Sequence, residues 1–121
     1  MNKVKIYEYE KCDTCRKALK FLAMNGVPFE RVAICEQPPS RAELRRMLGY
    51  LGGDLKKLFN TSGQVYRELD LSTRLPKLSE EQALALLEGN GKLVKRPFVL
   101  SAQAGTVGFK EAEWAKIFGL R

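Results

Sequence analysis

Two cysteines separated by two residues, Cys12-Asp13-Thr14-Cys15, are the residues of this sequence most able to do chemistry. Three readings fit their spacing: a thiol–disulfide exchange site, half of a tetrahedral metal site, or two thiols with no chemical role. The chain contains 3 cysteines and no histidine. That composition excludes Ser-His-Asp and Cys-His catalysis, haem ligation through imidazole, and mixed Cys/His zinc sites. A closed all-cysteine zinc site would need a fourth thiolate, which only a second chain could supply. No metal is therefore expected, and thiol exchange stands against incidental thiols.

Exchange requires a thiolate, whereas an ordinary cysteine, with a pKa of about 8.5, is mostly protonated at pH 7. A helix N-terminus helps, because its first N–H groups are unpaired and carry roughly half a positive charge. The local sequence places the pair at such a terminus. "VKIYEY" (Val4–Tyr9) alternates and is β-rich, which predicts a strand. Cys15, Ala18, Leu19, Leu22 and Ala23 then recur on one helical face, with Asn25-Gly26 as the stop and Pro28 beyond it. "FERVAI" (Phe29–Ile34) predicts the next strand. A strand, helix and strand of this length form a βαβ unit with parallel strands, so Cys12 falls at the C-terminal sheet edge where α/β sites gather. Cys12 sits at or just before the first helical turn, and Cys15 lies one turn further along, within reach of it. Cys12 is the expected nucleophile, and Cys15 the thiol that resolves a mixed disulfide. Lys11, Arg16 and Lys17 add positive charge nearby, while Glu10 and Asp13 oppose it. Cys35 ends the second strand at the same edge. It is read as a small packed residue, with an auxiliary thiol as the alternative.

Beyond "EQPPS" the pattern becomes helical. Ser40 to Glu43 and Ser79 to Gln82 are capping boxes. The first opens a helix with a stripe of Leu44, Met47, Leu48 and Leu51, ended by Gly52-Gly53. The second opens a helix through Leu87, ended by "GNG". Asp54 can cap a short "LKKLF" turn, "NTSG" is loop, and "QVYREL" predicts another helical piece. Residues of about 40–90 thus form an all-helical insertion within a single domain spanning 1–121. "KRPFVL" (Lys95–Leu100) and "GTVGF" (Gly105–Phe109) predict a hairpin across "SAQA". "KEAEWAKIF" closes as a helix with Ala115, Ile117 and Phe118 among its apolar positions. The order βαβ, helical insertion, ββα is that of an α/β, thioredoxin-like fold with a mixed four-stranded sheet. Such folds carry a proline before the third strand, usually after a cis bond and close to the reactive cysteine. Pro97 fits that place, and Arg96 before it is positioned to meet the thiolate or a bound anion. The alternative is an edge proline beside a surface arginine.

The formal net charge is +7, which favours anionic partners. The basic residues are dispersed, apart from Arg41, Arg45 and Arg46 on one predicted helix, read as a solvated face. No aromatics interleave with them, so direct nucleic-acid binding is not expected. No run of about 18 apolar residues is present, and "MNKVKIYEYEKC" lacks the apolar stretch of a signal peptide. A cytoplasmic, monomeric protein with reduced thiols and no membrane contact is expected.

Taken together, "IYEYEKCDTCRKALKFL", "GVPFE", "EQPPSRAEL", "LFNTSGQVYREL", "KRPFVL" and "VGFKEAEW" resemble the ArsC/Spx family over almost the full length. That family contains glutaredoxin-coupled arsenate reductases and Spx-type regulators. The resemblance to the reductases implies attack of Cys12 on arsenate, followed by reduction by glutathione and glutaredoxin, with no bound cofactor. It also implies three anion-holding positions. These match Arg96, Lys110 after the last strand, and Asn60 in the insertion, so one family arginine is retained, one is lysine and one is asparagine. Lysine is a point charge rather than a fork, which implies weaker bidentate binding of an oxyanion. Arg16 is a further candidate for the anion. The reductases usually lack a second cysteine at the position of Cys15. In that respect the chain is similar to the Spx branch, where the paired cysteines form a reversible disulfide. That disulfide controls binding to the C-terminal domain of the RNA polymerase α subunit. Gly52-Gly53 falls near the interaction loop of that branch.

Overall fold

Strand β1 (Val4–Glu8) is the strand on which the sheet is built. The structure, a computed structural model, describes residues 3–119. β1 pairs in parallel with β2 (Phe29–Ala33), Val4 opposite Phe29 and Glu8 opposite Ala33. On its other side β1 pairs antiparallel with β3 (Phe98–Leu100), which pairs antiparallel with β4 (Gly105–Val107). The result is a mixed four-stranded sheet in the order β2-β1-β3-β4, a thioredoxin-like arrangement. Helix α1 (Asp13–Met24) makes the crossover from β1 to β2, as parallel pairing requires.

Two compact units emerge from the chain, one formed by Met1–Ala33 with Arg96–Arg121 and the other by Ile34–Lys95. The first holds the sheet, α1 and helix α6 (Glu111–Ile117). Its core gathers Val4 and Ile6 from one face of β1, Ala18, Phe21 and Leu22 from α1, and Val27, Val99 and Trp114. Alternate residues of a strand share a face, so Val4 and Ile6 reach the same core. Trp114 is fully buried and donates its indole N–H to the Gly108 carbonyl at 3.0 Å, which satisfies its one polar group. Its ring meets Phe21, Phe109 and Phe118 edge to face.

The elements differ from expectation at their edges. On α1 the buried face is Cys15, Ala18, Phe21 and Leu22, while Ala23 is exposed. Phe21 takes the inward place because its ring packs on Trp114. On α6, Trp114 is the deepest residue, and Ile117 and Phe118 are half-buried. β2 stops at Ala33, so Cys35 lies in the turn beyond the strand rather than at its end. β3 begins only at Phe98, because the Lys95 N–H is already engaged with the Leu58 carbonyl at 2.8 Å within the second unit.

The second unit is helical. Helix α2 (Arg41–Tyr50) and helix α5 (Glu80–Gly89) both start with reciprocal capping boxes, from Ser40 with Glu43 and Ser79 with Gln82. Between them lie the short helices α3 (Gln64–Glu68) and α4 (Leu71–Arg74), with 3-10 turns at Leu55–Leu58, Leu75–Lys77 and Gly91–Leu93. The helical stretch from Leu71 to Lys77 falls within the expected all-helical insertion, where the sequence marks no separate element. Arg41 and Arg45 do not simply face solvent: both pair with Glu81 of α5, and Arg41 also pairs with Glu88 at 3.3 Å. Phe59 bridges to Val94, an isolated strand-like contact in an otherwise helical segment.

The sequence marks Gly91 as part of a helix stop, and the fold gives it a stricter task. A Cβ there would lie 1.9 Å from the Ile34 carbonyl oxygen and 2.7 Å from its carbon. Both neighbours are backbone and cannot rotate away. Gly91→Ala should cost at least about 1–3 kcal/mol, the range for forced overpacking, read as a lowered urea midpoint. An unchanged midpoint would show that the two backbones separate freely.

Candidate active site

The turn from β1 into α1 is closed by the Cys12 N–H, which donates to the Tyr9 carbonyl at 3.0 Å. Cys12 is the N-cap of α1, with the extended backbone (φ −104°, ψ 112°) that this position adopts. Its sulfur accepts from the Cys15 N–H at 3.3 Å, and its carbonyl accepts from the Arg16 N–H at 3.1 Å. A cysteine therefore does here what serine, threonine or aspartate does at most helix starts: it satisfies one of the unpaired donors of the first turn. A hydrogen bond of this kind strengthens when its acceptor becomes an anion.

Cys15 is fully buried, whereas Cys12 is half-buried, and both are free thiols. Burial pushes the Cys15 thiol up to about 12, and its hydrogen bond to the Cys12 sulfur pushes in the same direction. A backbone hydrogen bond from Tyr9 and the positive charge of Arg96 act the other way. The two thiols are thus unlike: one at the surface of the helix start, the other held protonated behind it.

Arg96 and Pro97 complete the arrangement within the first unit. The Arg96–Pro97 peptide is cis, and the Pro97 carbonyl accepts from the Gly108 N–H at 2.9 Å. The Arg96 guanidinium lies 4.9 Å from the centre of the Tyr9 ring. Cys12, Cys15 and Arg96 therefore come together around Tyr9, whose role sequence reading missed. An aromatic side chain between a strand end and a helix cap has no periodic signature, and only the position of Arg96 reveals it.

The other anticipated residues have different surroundings. Arg16 is exposed, pairs with Asp13 at 2.5 Å and reaches the Glu10 carbonyl at 3.5 Å. Lys110 is exposed at the N-cap of α6, where its carbonyl accepts from the Trp114 N–H at 3.0 Å. Asn60 belongs to the second unit. There its N–H donates to the Leu93 carbonyl at 2.7 Å and its own carbonyl accepts from the Gly63 N–H at 3.0 Å. Cys35 is half-buried and free, also in the second unit. A further feature, not singled out from sequence, is the Glu8 carboxylate at the end of β1. It is buried and pairs with Arg31 at 3.2 Å.

Residues 7–117 match the model of the ArsC family. Among known proteins the chain is 48% identical over 108 residues to YusI of Bacillus subtilis, an uncharacterized protein, covering 89% of this chain and 92% of that one. It is 30% identical over 102 residues to the global transcriptional regulator Spx of Streptococcus mutans, covering 84% and 73% respectively. Its structure is similar to that of an ArsC family related protein from Bacteroides fragilis, with a TM-score of 0.90, 44% identity, and coverage of 95% and 97%.

The protonated state of Cys15 has a consequence for stability. In the folded, reduced chain Cys15 keeps its proton up to about 12, whereas an unfolded cysteine releases it near 9.0. The folded state therefore binds more protons between those values. Its stabilisation is complete below about pH 9 and is lost as the pH climbs toward 12. Between about pH 8 and about pH 10.5 the urea midpoint of the reduced chain should fall more steeply than that of Cys15→Ala. Parallel slopes would show that burial does not hold that proton.

Proposed function

This chain belongs to the ArsC family, and within that family we propose that it is an arsenate reductase-like thiol–disulfide oxidoreductase, with Cys12 as nucleophile, Cys15 as resolving thiol and Arg96 as the cation that receives an anionic substrate. One observation carries the reading: the Cys12 sulfur caps α1 by accepting the Cys15 N–H, with the Cys15 thiol buried one turn behind it. The same backbone donor serves the attacking sulfur and belongs to the residue that must later displace it.

The unlike thiols support an ordered cycle. The Cys12 thiolate attacks the substrate's sulfur or arsenic and becomes covalently bound, while a thiolate or a hydroxyl group leaves with the displaced electron pair. Once its sulfur is bonded to the substrate, Cys12 no longer acts on the Cys15 thiol as it does when free. Burial, the largest influence holding the Cys15 proton, remains, but the two that come from Cys12 are removed, whereas the Tyr9 hydrogen bond and the Arg96 charge still favour its release. The Cys15 thiolate attacks the Cys12 sulfur and forms the Cys12–Cys15 disulfide. The electron pair of the broken bond goes to the departing thiolate, or stays on arsenic and reduces it from the pentavalent to the trivalent state. Two electrons from a glutathione- or glutaredoxin-type reductant restore the dithiol.

A second reading rests on the Spx relative. There the same disulfide would be the output rather than an intermediate, altering capture of the RNA polymerase α subunit.

Arsenate-dependent NADPH consumption, coupled through glutathione, glutaredoxin and glutathione reductase, separates the two. Cys12→Ser should lower turnover by at least about 100-fold, since the nucleophile itself is removed. Cys15→Ser should slow it if the disulfide lies in the cycle. Absence of arsenate turnover in a folded, thiol-reactive chain would overturn the reductase assignment. Oxidation-dependent capture of the polymerase subunit would then favour the second reading.

A further inference from the structure

The first unit contains three described arginines, Arg16, Arg31 and Arg96. Two of them are neutralised by carboxylates, Arg16 by Asp13 and Arg31 by Glu8. Among the described residues no carboxylate pairs with Arg96. Its guanidinium instead rests near an aromatic ring, 4.9 Å from the centre of Tyr9. A ring attracts a cation through its quadrupole without cancelling the charge. An arginine held this way keeps its full positive charge for a ligand.

Tyr9 is also tied to the thiols through its backbone. Its carbonyl accepts the Cys12 N–H at 3.0 Å, and a backbone hydrogen bond from Tyr9 reaches the Cys15 thiol. One residue thus fixes the start of the redox helix with its main chain and the nearby cation with its side chain. Arginine has a long, rotamer-rich side chain that loses much conformational entropy when it is immobilised. A platform that limits this motion before a ligand arrives removes part of the cost of binding.

We propose that Tyr9 is a positioning residue, whose ring holds Arg96 beside the Cys12–Cys15 pair so that its charge selects substrates carrying a carboxylate or oxyanion next to the reacting atom. The inference rests on Cys12 being the nucleophile, as in the function proposed above. The ring, rather than the phenol oxygen, performs the task, so phenylalanine should substitute for tyrosine and leucine should not.

Alkylation of Cys12 provides the readout. Iodoacetate and iodoacetamide react identically with a thiolate, forming a thioether and releasing iodide, and they differ in that only the first carries a carboxylate. Rate constants for both reagents at Cys12, resolved by peptide mapping of the reduced full-length chain, give a charge-selectivity ratio for each variant. Tyr9→Leu should lower the iodoacetate-to-iodoacetamide ratio about two- to five-fold, the size expected for loss of one cation–π contact. Arg96→Gln should lower it at least as far, and added salt should diminish the difference. Tyr9→Phe should keep the parental ratio, and this rescue guards against a general disturbance of the helix start.

A Tyr9→Leu ratio equal to the parent's would overturn the proposal. So would a Tyr9→Phe ratio as low as that of Tyr9→Leu, or equal changes for both reagents, which would place the effect on the thiol itself. These outcomes leave the function proposed above intact. A parent in which Cys12 reacts with neither reagent would instead defeat the nucleophile assignment, and this inference with it.

Discussion

The hydrogen bond from the Cys15 N–H to the Cys12 sulfur is the contact on which the site depends. It gives the sulfur of the proposed nucleophile a structural task, because that sulfur accepts one of the unpaired donors at the start of α1. Any covalent change at Cys12 is therefore felt by the helix cap. The remaining features follow from keeping that cap in place. β1 delivers the chain to the sheet edge, and the Tyr9 carbonyl turns it by accepting the Cys12 N–H. α1 is then held against the sheet by Ala18, Phe21 and Leu22. With α1 anchored so firmly, the first turn can present a sulfur without being rebuilt around it.

The asymmetry between the two thiols has the same origin. Three residues of helix turn through about 300°, so the Cys12 cap and Cys15 lie on neighbouring parts of one face. The capping position projects from the end of the helix, while the position one turn later points into the core. Cys15 consequently loses its contact with water and keeps its proton, whereas Cys12 retains partial exposure. No additional residue is required to make the thiols unlike. Arg96 enters from the far end of the chain, on the segment leading into β3, and brings the charge that the helix start alone does not supply.

The second unit follows a different logic. Its helices are opened by matched capping boxes, and its α2 and α5 faces are joined by arginine–glutamate pairs at Glu81 and Glu88. The pairs are exposed and contribute little individually, so buried residues such as Leu44, Met47, Leu84 and Leu87 carry most of the packing. The close approach of Gly91 to the Ile34 backbone is the tightest requirement among the glycines described here.

Residue patterns close together in the chain were legible without the structure. The strand–helix–strand opening, the helix cap at Cys12 and both capping boxes follow from local periodicity and turn chemistry, which act over only a few residues, while the mixed sheet was expected because the element order matches a thioredoxin-like fold. The pairing of Cys12 with Cys15 follows from helical spacing for the same reason. Tertiary structure decided what depends on distant partners. Phe21 replaces Ala23 on the buried face because Trp114, from the last helix, offers a ring to pack against. β3 starts late because Lys95 is already paired with Leu58. Arg41 and Arg45 pair with Glu81 on the exposed surface, and Tyr9 becomes the seat of Arg96 across 87 positions of sequence (from 9 to 96). The sequence by itself determined where a reactive thiol could stand, because that depends on backbone groups one turn away. That Arg96 would stand near it was expected from its place before Pro97, but its seat on Tyr9 was decided by folding, because no local rule links a strand-end tyrosine to an arginine so far along the chain.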